Sequence, residues 1–259
     1  MKRLPQIIGY LCLIGWTAAS AETAEEKGLR ISKAADAFNA GFAGETSTME
    51  MVLTNAHGDT TTRKMASKIL EGSDDGDRSI ITFVWPADVK GTRMLTWTHK
   101  VGNDDQWLYL PSIKRVKRIS SRNKSGAFMG SEFAYQDLGS AEIEKYTYKW
   151  LKNEDLGGRK QWVIQRIPTD KRSGYTRQVM WLDQQYHQPL KIDFYDRKGD
   201  LLKTFTFNGY TAHGKHWRAK TIEAINHQTR KKSKLDWTNR TLGTAPKATD
   251  FSKDALSDW

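Results

Sequence analysis

The side chains best suited to acid–base or metal chemistry are four histidines, His99, His213, His216 and His227, with Asp104 and Asp105 a few residues beyond the first. His213 and His216 stand three apart beside Gly214, and no further ligand follows that would complete a zinc site. No HExxH, GxSxG or paired-carboxylate context surrounds any of the four. An imidazole in a turn is ordinarily a surface group, so the chain is expected to be no enzyme and to carry no metal or cofactor. The acidic stretch Gly72–Asp77 lacks the alternating ligands and closing glutamate of a calcium loop and reads as a solvated turn.

A second group of charges has a clearer use. Between Trp107 and Leu138 the chain reads WLYLPSIKRVKRISSRNKSGAFMGSEFAYQDL. Six cations, Lys114, Arg115, Lys117, Arg118, Arg122 and Lys124, alternate irregularly with Ile113, Val116 and Ile119, a pattern suited to docking an anionic headgroup or partner. An apolar tip with Phe128 and Met129 follows, then Phe133. Such a tip either projects as a lid or docking loop or folds back on the core as a long loop.

The elements that must position these groups follow from periodicity. Leu29, Ala34, Ala35 and Phe38 lie near helical spacing, so a helix is expected from Ala24 to about Phe42, ended by Gly41 and Gly44. Beyond it the period is two. Strands are expected around Met49–Leu53, Thr60–Leu70, Ile81–Trp85, Leu95–Trp97 and from Trp107, and again at Gln161–Ile167, Gln178–Asp183, Leu190–Tyr195, Leu201–Tyr210, Trp217–Asn226 and Lys234–Thr238. About ten or eleven strands at this spacing predict a mainly β fold, a strongly curved antiparallel sheet or barrel, instead of βαβ units.

Ten tryptophans, nine tyrosines and nine phenylalanines punctuate an otherwise polar chain, mostly at alternating strand positions. They serve either a large packed core or the lining of an apolar ligand cavity, which a barrel of this many strands can enclose. On the second reading Phe83, Trp85, Leu95, Trp97, Trp107 and Tyr109, with Phe128, Met129 and Phe133, line the cavity, and methionines such as Met49, Met51 and Met65 adapt it to acyl chains.

Lys2 and Arg3, an apolar stretch from Leu4 to Trp16 and the small residues Ala19-Ser20-Ala21 make a cleavable signal peptide of residues 1–21. The expected product is a periplasmic protein with no membrane anchor. The single cysteine, Cys12, lies in that leader, so residues 22–259 would form one domain without disulfides, held by its core. The formal charge of +11 becomes +9 once Lys2 and Arg3 are removed. Export directs that charge to phospholipid headgroups, lipid A phosphates or an acidic protein surface instead of nucleic acid. A monomer is expected.

The run LPSIKRVKRISSRNKSGAFMGSEFAYQDL, with FVWPADVKGTRML (Phe83–Leu95) and PLKIDFYDRKGDLLKTFTF (Pro189–Phe207), resembles the outer-membrane lipoprotein-sorting family of LolA-like periplasmic carriers, over roughly residues 34–239. The resemblance implies an incomplete, half-open antiparallel β-barrel capped by helices, whose hydrophobic cavity carries lipid or lipoprotein acyl chains across the periplasm. It also implies a handover between an RND-type inner-membrane exporter and an outer-membrane acceptor. The KR-rich run and the FMGS loop mark the branch associated with such exporters, not the housekeeping lipoprotein chaperone. The same architecture can instead serve an envelope-stress sensor.

Overall fold

The computed structural model describes residues 21–257, so the expected leader lies outside the described residues except for Ala21. Helix α1, Ala24–Asn39, begins at a reciprocal cap: the Thr23 hydroxyl accepts from the Glu26 N–H at 3.2 Å, and the Glu26 carboxylate accepts from the Thr23 N–H at 2.8 Å. It stops before Phe42, and Gly41 takes a φ of +84°, where glycine is favoured. Among the described residues no helix is long and apolar enough to cross a membrane.

The strands are β1 Gly44–Thr54, β2 Thr60–Leu70, β3 Arg78–Trp85, β4 Arg93–Trp97, β5 Asp105–Leu110 and β6 Arg115–Arg118, then β7 Tyr146–Leu156, β8 Arg159–Pro168, β9 Arg177–Asp183, β10 Pro189–Tyr195, β11 Leu201–Asn208, β12 Thr211–His213, β13 His216–Arg218, β14 Thr221–Asn226 and β15 Lys232–Leu242. Thirteen form one antiparallel sheet in the order β6-β5-β4-β3-β2-β1-β15-β14-β11-β10-β9-β8-β7, and β12–β13 form a separate hairpin. The fold is mainly β, as expected, with one α-helix among the described residues. The sheet is not closed into a barrel: β6 and β7 are its two edges, and the chain between them, residues 119–145, crosses the gap.

The large sheet has two strands more than the eleven expected; outside it β12 is additional, and the expected strand Trp217–Asn226 divides into β13 and β14. β6 forms inside the basic run, and β7 was not anticipated, although Tyr146, Tyr148 and Trp150 alternate ahead of the tight Gly157-Gly158 turn. Helix α1 lies against β7. A Cβ on Gly28 would sit 2.6 Å from the Trp150 backbone nitrogen, so glycine is what allows the close approach.

The register sorts residues between the faces. Cross-strand partners Ile164, Met180, Ile192, Phe205 and Ala224 share the inner face of β8 to β14, and Leu235, Met51 and Met65 lie on the same face of β15, β1 and β2. A bulge interrupts β3: Met65 pairs with Phe83 but Lys64 with Trp85, so Val84 is the extra residue. A second apolar cluster forms on the outer face of β3–β5. There Ile80, Leu95 and Trp107 are covered by Phe251 and Leu256 of the C-terminal segment.

Candidate binding cavity

The inner face and the 119–145 segment enclose a cavity of about 750 Å³, within the range of small-molecule sites. Its apolar wall comes from Met49, Met51, Ile81, Ile192, Phe194, Phe205, Phe207, Ile222, Leu235 and Trp237, with Phe128, Phe133 and Leu138 contributed by the crossing segment. A more polar space of about 700 Å³ adjoins it beside α1 and shares Glu45, Ile69, Arg166 and Arg218 with it. Asp77 lines that second space, and burial pushes its carboxyl up to about 6 against the N–H of Gly72.

The apolar tip does not project. Phe128 is 2% exposed and Phe133 7%, and the Phe128 N–H donates to the Phe133 carbonyl at 2.7 Å, closing the turn on itself. This is the folded-back arrangement, and polar contacts hold it there. Lys203 on β11 reaches Asp137 at 2.7 Å with both side chains almost wholly buried, and it also donates to the Glu132 carbonyl at 2.7 Å. Tyr175 donates to Asp137 at 2.8 Å, its own hydroxyl pushed far up by burial. Asn226 donates to the Glu132 carboxylate at 2.7 Å, and Arg63 donates to the Met129 carbonyl. The Lys203 ammonium stands 4.8 Å above the Phe205 ring, so its charge is also shielded by π faces.

Of the nine residues expected to line a cavity, Phe128 and Phe133 border it. Phe83 is fully buried on the same face, 5.7 Å from the Phe128 ring, and Met129 is half-buried against the same core. The other five lie elsewhere. Leu95, Trp97, Trp107 and Tyr109 belong to the outer cluster, where Trp97 and Trp107 meet edge to face at 5.0 Å and the Trp97 indole donates to the Phe251 carbonyl at 2.8 Å. Trp85 is 49% exposed, turned outward by the bulge at Val84.

The six cations divide as well. Arg115, Lys117 and Arg118 lie on the edge strand β6, exposed, with Val116 between them, and Lys114 and Arg122 are exposed on either side. Arg118 pairs with Asp105, and Lys124 borders the cavity and pairs with Asp170 at 2.7 Å. Among the described residues Lys114, Arg115, Lys117 and Arg122 make no ion pair.

The histidines do not converge. His99 contacts Asp75 at 2.6 Å and Asp105 at 3.3 Å, and its hydrogen bond to Asp75 holds it above its ordinary pKa. His213 and His216 face each other across the β12–β13 hairpin, both held below their ordinary values by burial. No group of three or more histidines, cysteines or carboxylates among the described residues is arranged to hold a metal.

Sequence reasoning missed most of the cavity wall contributed by β10–β15, although Phe205 and Phe207 alternate within an expected strand. It also missed the buried Lys203–Asp137 pair, which leaves no local signal because its partners are 66 residues apart.

A family model described as an uncharacterized protein family matches residues 75–258. A candidate outer membrane lipoprotein-sorting protein domain from Vibrio parahaemolyticus is 51% identical, with a TM-score of 0.88 over 90% of this chain and all of that one. A DUF1329 family protein from Desulfovibrio piger is 25% identical, with a TM-score of 0.86 over 90% of this chain and 99% of that one. A LolA superfamily protein from Nitrosomonas europaea shares the fold at 22% identity, with a TM-score of 0.70 over 91% of this chain and all of that one. No curated protein matches the chain.

Proposed function

The chain belongs to the LolA-like family of outer-membrane lipoprotein-sorting domains, and on that premise we propose that it is a periplasmic carrier that holds lipid or lipoprotein acyl chains and shuttles them toward the outer membrane. The observation that supports this most is the cavity of about 750 Å³, walled by flexible methionines and aromatic rings. Each acyl methylene taken from water into such a wall contributes about 0.8 kcal/mol. Residues 1–21 act as the leader, and residues 22–259 form the single carrier domain. The carrier performs no catalysis and needs no cofactor. Direction comes from an energised donor, an RND-type exporter, or from a tighter-binding outer-membrane acceptor, since a ligand moves toward higher affinity.

The exposed cations of the β6 edge, Lys114, Arg115, Lys117, Arg118 and Arg122, dock the carrier on an anionic headgroup or partner. Reversing Arg115 and Arg118 to Glu should slow cargo transfer at low salt and leave it nearly unchanged at high salt, where surface charge is screened; equal transfer at low salt removes the docking role. The carrier reading is tested by mass spectrometry of protein purified from periplasm without detergent. A stoichiometric lipid or acylated peptide is expected. Empty protein that also takes up no fluorescent fatty acid overturns the reading and returns the aromatics to an ordinary core.

A further inference from the structure

We propose that Arg218 and Arg240, converging on Glu45 in the cavity wall, form an anion subsite that receives the charged head of the bound amphiphile, so that the cargo is an acyl lipid with a carboxylate or phosphate head instead of a neutral one. This rests on the lipid-carrier reading of the same cavity.

Glu45 sits at the start of β1 on the inner face, and Arg240 reaches it diagonally from β15, where Arg240 pairs with Ser47 and Leu242 with Glu45. Arg240 Nε donates to Glu45 at 2.9 Å, and Arg218 Nε approaches the other carboxylate oxygen at 3.4 Å. All three side chains line the cavity, and they are only 6% (Glu45), 9% (Arg240) and 17% (Arg218) exposed. Two guanidiniums share one carboxylate, so within contact distance the cluster has one more cation than anion in a largely apolar wall. Contrast the Lys203–Asp137 pair, where one cation meets one carboxylate and the charges close. An uncompensated buried charge is costly, and an incoming anion removes that cost while gaining charge-assisted hydrogen bonds.

The donors are also preorganised. One Nη1 of each guanidinium is committed to a carbonyl, Arg218 to Trp217 at 3.1 Å and Arg240 to Ala219 at 2.8 Å. The planes lie over rings, Arg218 over Phe42 at 5.1 Å and Arg240 over Trp237 at 4.4 Å. Among the described residues neither Nη2 has a hydrogen-bond partner. Burial holds Arg240 below its ordinary value, the direction that a bound anion would reverse. Of the groups beyond the three, Asp77 attracts Arg218 from the adjoining space but hydrogen-bonds to the Gly72 N–H, Tyr210 donates to the Pro189 carbonyl, and His213 and His216 stay below their ordinary values.

The test compares laurate with dodecanol, which share a chain and differ in the head, by displacement of a fluorescent probe from the delipidated mature protein. Laurate is expected to bind at least about tenfold more tightly, and Arg218→Gln and Arg240→Lys should each shrink that ratio to below about threefold. Arg218→Gln leaves Glu45 paired with Arg240, and melting temperatures report whether each variant folds. Dodecanol binding as tightly as laurate to the unsubstituted protein overturns the subsite while sparing the lipid cavity, and needs no variant. A ratio unchanged in both folded variants does the same. Displacement of laurate by millimolar inorganic phosphate alone would assign the arginines to a free oxyanion and overturn the lipid-head assignment. Binding of neither ligand overturns the carrier reading along with it.

Discussion

The two wings of the sheet spend their apolar residues differently. In β8–β11 the inner positions Ile164, Met180, Ile192, Phe194 and Phe205 are buried, and many outer neighbours, such as Gln165, Lys191, Asp193 and Thr206, are polar. In β3–β5 both faces are apolar: Ile81, Phe83, Met94 and Leu108 point inward, while Ile80, Leu95, Trp97 and Trp107 point outward beneath Phe251 and Leu256. Alternation states which face is buried only when the other face is wet. One wing therefore walls a cavity, and the other is a sandwich filling built on the same strand geometry.

The largest effect that should separate the wings comes from the inner pin. Asp137→Ala leaves the buried Lys203 ammonium without its carboxylate and is expected to cost about 3–5 kcal/mol, read from urea unfolding, with faster proteolysis in residues 119–145. If the cost is below about 1 kcal/mol, the crossing segment is not held by that pair. Next, Phe251→Ala opens a hole in the outer cluster and should cost about 3–5 kcal/mol without changing fatty-acid uptake. Phe207→Ala, on the half-buried cavity wall, should do the reverse: a stability loss of about 1–2 kcal/mol but weaker uptake. Equal effects of the two substitutions on uptake would erase the distinction between the faces.

The smallest expected effect concerns pH. Asp77 precedes β3, and its carboxyl is raised from 3.8 to about 6, chiefly by burial. A raised carboxylate contributes stability that is present below pH 3.8 and lost as pH rises through about 6. Asp77→Asn should therefore flatten the melting temperature between about pH 4 and 7 and gain about 1–2 kcal/mol on the wild type at the upper end, after discounting for solvent screening. A parallel pH profile in the two proteins would place the titration elsewhere.

Much of the frame was legible. The expected bounds of β2 match the structure residue for residue, and those of β8, β9 and β10 fall within two residues of the observed ones, because period two and turn chemistry are local properties. The candidate lining was less legible. Phe83, Phe128 and Phe133 pack into the inner cluster, while Leu95, Trp97, Trp107 and Tyr109 pack into the outer one, since in β4 and β5 an equally apolar set, Met94 and Leu108, occupies the alternate positions.

What the sequence by itself determined was the repertoire: one capped helix, a long series of antiparallel strands, a basic run beside an apolar tip, and the family motif that joins them. Each depends on neighbours within a few residues. What the tertiary structure decided was inside versus outside. The bulge at Val84 reversed Trp85, the C-terminal Phe251 and Leu256 claimed the outer face of β4 and β5, and Lys203 drew the apolar tip into the concave face. It also brought Glu45 to Arg218 and Arg240, 173 and 195 residues away. Those choices rest on contacts between segments far apart in sequence, which no local period encodes.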